Sequence, residues 1–246
     1  MTTPSTFFEP EWPAPRNVRS AQSLRTGGGS RDAYASLNLG AHVGDDARSV
    51  EENRALLKRS LALPAEPLWL EQVHGTTVID ADNNSARRGD AVVARRPGVV
   101  CAIQTADCLP VLFAHDSGTR IAAAHAGWRG LSAGVLEATV SAMAVPESEL
   151  LVWLGPAIGP ESFEVGEEVR TAFVSHDAAA SKAFARNARG RWQADLYCLA
   201  RQRLDAMGVA RVFGGGLCTY RDEARFFSHR RDGGSGRMAT LIWLER

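Results

Sequence analysis

A cysteine and a histidine flank two apolar segments near the middle of the chain. Cys108 stands two residues before Pro110, where the segment LPVLFAH begins, and His125 ends the segment RIAAAH. Both side chains lie beside turn residues, and a predicted helix starts shortly after His125. Ligand and catalytic groups of α/β proteins gather where strand ends face helix N-termini. We therefore expect the thiol and the imidazole either to pack in the core or to meet over a shared atom.

His74, in the segment QVHG, is a third residue of metal-binding type at a predicted strand end. Two histidines and one cysteine suit Zn2+ and leave its fourth tetrahedral position open, which is the pattern of catalytic zinc sites. The long spacings between His74, Cys108 and His125 match no compact metal motif. A metal-free pair, in which His125 activates a Cys108 nucleophile, needs two of the same residues. Burial as structural side chains is the remaining interpretation, and the residues alone leave all of these alternatives open.

Charged residues near these positions are further candidates. Asp107 precedes the cysteine and either orients a ligand histidine, shuttles a proton or caps the turn. Arg129 opens the next predicted helix and is expected to point at the same opening. Arg230 and Arg231, in SHRRDGGSGRM, form either an ordinary solvated loop or a phosphate site, because guanidinium groups match phosphate oxygens.

The composition is typical of a soluble globular protein, with 45% hydrophobic and 23% charged residues in a chain of 246. The formal net charge of +0 gives no overall field toward nucleic acid or membrane, so neither is expected as a partner, and no obligate protein partner is evident. The four cysteines form no C-x-x-C pair, which argues against a disulfide scaffold. No secretory signal pattern and no membrane-spanning apolar run are seen, so a cytoplasmic location is expected.

The alternation of apolar segments and turn signals predicts one mixed α/β domain over residues 1–246, with the proline-rich segment 1–16 wrapping its surface. The predicted helices are a segment at roughly 46–62 and the stretches WRGLSAGVLEATVSAMAV, EEVRTAFVSH and ADLYCLARQRLDAMG. The predicted strands are PLWLEQVHG, TTVIDAD, GVVCAIQ, LPVLFAH, RIAAAHAG, LLVWLG, RVFGGG and RMATLIWLE.

The histidine pattern excludes two classes of metal enzyme. A multicopper oxidase needs paired H-x-H motifs for its trinuclear cluster in addition to a blue-copper site. None of the six histidines here has that spacing. The cytidine deaminase signature is also missing, because no glutamate lies two residues after His74 or His125 and no C-x-x-C follows. Any deamination by this chain would therefore use a different scaffold.

Five motifs occur in order over most of the chain: QVHG, TADCLPVLF, AAAHAGWRG, GPAIGP followed by FEVG, and FFSHRRDGGSGRM. Together with the N-terminal loop SLNLGAHVGDD, they closely resemble the YfiH family. Its members are variously named laccase-domain proteins or polyphenol oxidases, multifunctional purine nucleoside phosphorylases and peptidoglycan editing factors. The resemblance implies a single α/β domain of the α+β type, with stacked mixed β-sheets flanked by helices, akin to the catalytic domain of cytotoxic necrotising factor.

The same resemblance implies a catalytic zinc ion, favoured over copper, on the residues that match His74, Cys108 and His125. Asp107 and the helix-opening arginine are then expected beside the metal as catalytic residues. Asn38, in the N-terminal loop, joins the two loop arginines as a residue expected to contact substrate or phosphate.

For function, the resemblance implies a zinc enzyme that acts on purine nucleosides such as adenosine, inosine, guanosine and methylthioadenosine. With phosphate as the nucleophile, the anomeric carbon of the ribose is attacked and the purine leaves. With water at the purine 6-position, adenosine becomes inosine. Two alternatives stay open: a zinc amidase that removes misincorporated L-serine from a UDP-muramyl peptidoglycan precursor, and a non-enzymatic, zinc-stabilised binding protein.

Overall fold

Two stacked β-sheets with helices on their outer faces form the fold in the computed structural model, which describes residues 5–83 and 86–245. Residues 1–4 of the predicted surface segment lie outside the described residues. The helices are α1 (Ala47–Ser60), α2 (Trp128–Ala133), α3 (Val135–Met143), α4 (Glu167–Val174), α5 (Leu196–Ala206) and α6 (His229–Asp232). The strands are β1 (Phe7–Phe8), β2 (Val18–Ser23), β3 (Leu68–Trp69), β4 (Val78–Asp80), β5 (Ala91–Ala94), β6 (Val100–Thr105), β7 (Leu109–His115), β8 (Ile121–Ala126), β9 (Leu150–Leu154), β10 (Glu164–Val165), β11 (Phe184–Arg186), β12 (Trp192–Ala194), β13 (Arg211–Gly214) and β14 (Met238–Leu244).

Both large sheets mix parallel and antiparallel pairs. The first has the strand order β1-β2-β14-β6-β3, and the second has the order β13-β9-β7-β8-β5-β4. The parallel pairs are β3 with β6, β4 with β5 and β13 with β9. The prediction of a mixed α/β domain with stacked sheets is confirmed. The sequence pattern does not predict the third, antiparallel sheet β10-β12-β11 or the short helix α6.

Side-chain alternation explains why the two large sheets stack. Along β7, Val111 and Phe113 face the helices, whereas Leu112 and Ala114 face the first sheet. From the opposite side of this inner layer, β6 contributes Ile103. Successive side chains of a strand point to opposite faces, so strands covered on both faces are apolar throughout. This accounts for the uninterrupted apolar segments that predict β6, β7 and β8.

Helix α1 covers the outer face of the first sheet. It begins after Asp46, whose side chain accepts a hydrogen bond from the Ser49 backbone N–H, and it buries Leu57 against the sheet. These bounds agree with the predicted helix at roughly 46–62. None of the helices within the described ranges has the length and hydropathy needed to cross a membrane.

One predicted helix is two helices in the structure. The stretch WRGLSAGVLEATVSAMAV contains α2 and α3, which meet at Gly134. The φ angle of Gly134 is 101°, a left-handed conformation that ends α2 and redirects the chain. The prediction of one continuous helix is therefore wrong, because apolar residues at helical spacing on both sides of Gly134 conceal the break.

Two predicted strands are much shorter than expected. Only β3 remains of PLWLEQVHG, and only β4 remains of TTVIDAD. The intervening residues 70–77 form a loop, and His74 within it has a φ of 61°, which no strand residue adopts. The loop conformation is imposed by tertiary hydrogen bonds described below, which a local pattern does not reveal.

The N-terminal residues extend the edge of the first sheet. Strand β1 pairs antiparallel with β2, and the Trp12 indole N–H donates to Ser20 Oγ at 3.1 Å. Phe8 and Trp12 pack against the layer between the large sheets. Residues 5–16 therefore lie on the body of the molecule, while the wrapping of the whole segment 1–16 stays a prediction.

Candidate metal centre

Several chain segments meet at the edge of the second sheet that is formed by the ends of strands β5, β7 and β8. In the pairing of β7 with β8, Pro110 lies opposite His125, which places Cys108 beside the end of β8. Asp90 comes directly before β5, and its carbonyl accepts a hydrogen bond from the His125 backbone N–H at 2.7 Å. The turn 106–108 also joins β6 of the first sheet to β7 of the second. The site thus lies where the two sheets are connected.

His74 reaches this edge from the loop between β3 and β4, and Asp90 holds the loop in place. The carboxylate of Asp90 accepts hydrogen bonds from the backbone N–H groups of Val73, His74 and Gly75 at 3.2, 2.8 and 2.7 Å. Non-glycine residues adopt a left-handed conformation such as that of His74 only where the surroundings impose it. The buried carboxylate therefore sets the backbone from which the imidazole projects.

The donor atoms of His74, Cys108 and His125 converge. Cys108 Sγ lies 3.8 Å from His74 Nε2, and the ligand atoms of the three residues all lie within 4.8 Å of one another. The centroids of the two imidazole rings are 4.7 Å apart. Zn–N bonds of about 2.0 Å and Zn–S bonds of about 2.3 Å separate N and S by roughly 3.5 Å in a tetrahedral site. The three side chains therefore fit a single Zn2+ with small adjustments.

Gly127 leaves space beside these donors. A Cβ at this position would lie 2.9 Å from both Cys108 Sγ and His74 Cδ2, and 3.5 Å from His125 Nε2. The φ of Gly127 is −61°, so the close approach of the three side chains, not the backbone conformation, is what requires glycine. The absence of a Cβ leaves room for an ion and for the group that would occupy its fourth position.

Asp90 also orients the imidazole of His125. Its Oδ1 lies 2.8 Å from His125 Nδ1, and both side chains are buried. With the Nδ1–H bonded to this carboxylate, the lone pair of Nε2 is available to a metal, as in sites where a carboxylate supports a ligating histidine. Burial raises the pKa of Asp90, but hydrogen bonds from His125 and Gly75 outweigh burial, and the pKa is lowered.

The electrostatics of the cluster favour a thiolate. Burial raises the pKa of the Cys108 thiol, but the neighbouring imidazoles, His125 above all, lower it to about 6. Burial lowers the pKa of His125, whereas the Cys108 thiolate and Asp90 raise it to about 9. The thiolate is the form of cysteine that binds metals and also the form that acts as a nucleophile. Both chemical alternatives derived from the sequence are thus compatible with this geometry.

Asp90 is the functional residue that sequence reasoning misses. It stands in RRGDAVV, directly before a buried strand, which is a weak signal shared by many turn aspartates. Its importance follows from the pairing of β5 with β8, which brings it opposite His125. A pairing between strands so far apart in sequence is not visible in local patterns.

Asp107, for which the sequence leaves open an orienting, a proton-shuttling or a turn-capping role, bonds other partners than the candidate ligands. Its Oδ1 accepts from Thr219 Oγ1 at 2.6 Å, and its Oδ2 accepts from the Arg230 backbone N–H at 2.7 Å. Asp107 therefore ties the loop at Thr219 and the start of α6 to the turn that carries Cys108. The carboxylate that bonds the imidazole of His125 is Asp90 instead, and a proton-transfer role for Asp107 stays a prediction.

Arg129 and Arg230 keep N–H groups available to a ligand. Arg129 is exposed, and its guanidinium lies over the Trp128 ring at 4.4 Å without a hydrogen bond among the described residues. Arg230 is also exposed, and its Nη1 donates to the Glu164 carbonyl at 2.7 Å. Arg230 is thus available for the substrate or phosphate contact predicted from the sequence, and the catalytic role predicted for Arg129 stays a prediction.

Arg231 and Asn38 are engaged within the chain. Nε and Nη2 of Arg231 each donate to the Asp232 carboxylate at 2.8 Å. Its remaining N–H groups donate to the backbone carbonyls of Thr219, Tyr220 and Phe226. The amide of Asn38 is fully buried and bonds Asp45 Oδ2 and two backbone N–H groups. A substrate contact by either side chain would require these bonds to break, and neither enters the function proposed below.

His115, Asp116 and Glu149 are a second group of potential metal ligands among the described residues. They lie at the far end of β7 from Cys108. His115 Nε2 is 2.8 Å from Glu149 Oε2, and Asp116 accepts from Arg211 at 2.9 Å. These protein partners account for the group as a structural network.

The fold and the site define a mixed α/β protein with two histidines and one cysteine gathered where its stacked sheets join. Residues 19–245 match the family described as multi-copper polyphenol oxidoreductase laccase, and the chain belongs to that family. The resemblance to YfiH proteins is confirmed by relatives that carry this name.

Two similar proteins are named purine nucleoside phosphorylases. One, from Pseudomonas aeruginosa, is 58% identical over 97% of this chain and 98% of its own length. The other, YfiH of Escherichia coli strain K12, is 54% identical over 98% of this chain and 99% of its own length.

Solved structures share the whole fold. A Neisseria meningitidis protein has a TM-score of 0.94 and 47% identity, covering 98% of this chain and 100% of its own. YlmD from Geobacillus stearothermophilus has a TM-score of 0.86 and 30% identity, covering 99% of this chain and 100% of its own.

Proposed function

We propose that this chain is a zinc-dependent purine nucleoside phosphorylase. The convergence of His74, Cys108 and His125 beside Gly127 carries the proposal, because three such ligands are the donor set of a catalytic zinc site. The names of the Pseudomonas and Escherichia relatives support purine nucleosides and phosphate as its substrates. Adenosine deamination and methylthioadenosine phosphorolysis belong to the same proposal, since they act on the same class of nucleoside.

The donor set favours zinc over the copper in the family's description. A laccase needs a trinuclear cluster held by H-x-H histidines, whereas this chain has six histidines and none at that spacing. Among the described residues, only His74 and His125 lie with Cys108. When bound, zinc supplies a Lewis acid with one coordination position open to the reaction.

The residues around the site keep it ordered during the reaction. Asp90 holds His125 through its ring N–H and holds the His74 loop through backbone N–H groups.

In phosphorolysis, a phosphate oxygen forms a bond to the anomeric carbon of the ribose as the bond from that carbon to the purine nitrogen breaks. The purine leaves with the bonding electrons and takes up a proton.

Charged side chains near the candidate metal centre are proposed to bind the anionic substrate. Arg129 and Arg230, which have N–H groups without partners among the described residues, are proposed contacts for substrate or phosphate. Asp107 positions Arg230 through its backbone N–H and is a proposed carrier of the proton that the leaving purine needs.

Metal analysis followed by product detection tests this function. The purified protein should contain about one Zn2+ per chain. Adenosine with phosphate should give adenine and ribose 1-phosphate, and adenosine without phosphate should give inosine. Cys108→Ser should lose most of the zinc and both products, whereas Cys198→Ser, a half-buried position on α5, should retain them.

The two alternative functions, an amidase and a non-enzymatic binding protein, predict different results when the same protein is assayed. Release of L-serine from a UDP-muramyl precursor, with no turnover of nucleosides, would favour the amidase. A zinc-loaded protein that turns over neither substrate class would favour a binding protein.

A further inference from the structure

One edge of the Arg237 guanidinium group has no hydrogen-bond partner among the described residues. Its Nη1 donates to the backbone carbonyls of Ser235 and Gly236 at 2.8 and 3.1 Å, which anchors one side of the group. Nε and Nη2 have no hydrogen-bond partner in the described part of the chain, and no carboxylate there forms an ion pair with the side chain. These two parallel N–H groups are the edge with which arginine binds phosphate in a bidentate manner.

Strand pairing places Arg237 next to the turn that carries Cys108. Met238 at the start of β14 lies opposite Thr105 at the end of β6, so the preceding Arg237 lies beside the turn 106–108. The Arg237 backbone N–H donates to Asn38 Oδ1 at 2.8 Å, which fixes its main chain to the N-terminal loop. The buried Asn38, predicted from the sequence to contact substrate, thus holds the main chain of Arg237.

The stem of the arginine is packed as well. A Cβ added at Gly40 would lie 2.8 Å from Arg237 Cγ, so the loop 38–40 approaches the side chain closely. An arginine held at its main chain, its stem and its Nη1 loses little conformational entropy when its other edge binds a ligand.

Charges connect Arg237 to the candidate metal centre. Burial lowers the pKa of Arg237, and the negative charges of Cys108 and Asp107 act to raise it. Burial also lowers the pKa of His42, and the charges of Arg237 and His125 lower it further. The half-buried guanidinium and the metal-ligand candidates therefore share one electrostatic environment.

We propose that Arg237 binds the phosphate co-substrate through its Nε and Nη2 edge, beside the candidate metal centre. The identity of the anion rests on the proposed function. Arg231, in the same segment SHRRDGGSGRM, presents its equivalent edge to Asp232, whereas Arg237 presents its edge to no carboxylate of the described chain.

Calorimetric titration of the zinc-loaded protein with inorganic phosphate tests this assignment without turnover. Arg237→Gln should weaken phosphate binding by about tenfold or more, since hydrogen bonds to a charged group are lost. Arg237→Lys keeps the charge but not the two parallel donors, and it should restore only part of the affinity. In turnover assays, the KM for phosphate should rise, while the KM for nucleoside and phosphate-independent deamination should change little.

Arg54→Gln is the matched control. Arg54 is a half-buried arginine of α1 that contacts the same loop, but its Nε and Nη2 edge already donates to the Leu39 carbonyl at 2.9 and 2.8 Å. Unchanged phosphate binding in Arg237→Gln, or an equal loss in Arg54→Gln, overturns the assignment. Phosphate binding that depends on Arg237 in a protein without phosphorolysis supports the assignment and contradicts the proposed function. A wild-type protein that binds no phosphate overturns both.

Discussion

Asp90 connects two of the three candidate ligands. A single carboxylate accepts the ring N–H of His125 and the backbone N–H groups around His74, and it is fully buried. Hydrogen bonds to an ionised, buried acceptor are stronger than neutral ones, and removing one partner leaves the other unsatisfied. The loop and the imidazole are therefore ordered together.

Asp90→Asn should lower the zinc affinity by about 10- to 100-fold. The amide has only one acceptor oxygen, and its NH2 group would face N–H donors from which it cannot accept a hydrogen bond. Competition with a zinc chelator measures the affinity. Asp82→Asn is the control: Asp82 is nearly buried and bonds Arg95 and Arg96, beyond the opposite end of β5. Equal zinc affinity in Asp90→Asn and wild type would mean that the carboxylate does not support the metal site.

At the scale of elements, the entry to α2 shapes the opening of the site. Gly127 is the residue before this helix, and it faces all three candidate ligands. Gly127→Ala should reduce the zinc content sharply, because its Cβ would overlap Cys108 Sγ and the His74 ring. Gly29→Ala adds a Cβ in open space and should retain the metal. Zinc analysis of both purified variants checks this, and a full complement of zinc in Gly127→Ala would rule out an ion in that space.

Elements also explain which parts of the site could be predicted from the sequence. Cys108 directly precedes β7 and His125 lies on β8, and these are consecutive antiparallel strands, so the approach of the two residues follows from local patterns. His74 and Asp90 meet only through the loop before β4 and the pairing of β5 with β8. Arg237 comes from far along the chain. Its Nη1 and its backbone N–H are bonded to Ser235 and Asn38, whereas its Nε and Nη2 edge has no partner among the described residues. Such partners are set by tertiary contacts, which motif spacing does not specify.

At the scale of the whole molecule, the stacking of two sheets creates the site. The first sheet supplies the segments before β14 and after β6, and the second supplies the ends of β5, β7 and β8. The mixed α/β class could be predicted because buried strands and amphipathic helices alternate along the chain. The third sheet could not, because its strands are two or three residues long and carry little periodicity.

Turnover of adenosine before and after metal removal tests the central claim most directly. The metal-free protein should be inactive, and added Zn2+ should restore both phosphorolysis and deamination. At neutral pH, above its pKa of about 6, the Cys108 thiol of the metal-free protein is mostly thiolate and should react rapidly with iodoacetamide, whereas bound zinc should protect it. Undiminished turnover in verified metal-free protein, abolished by alkylation of Cys108, would contradict the zinc account and identify the cysteine as the nucleophile.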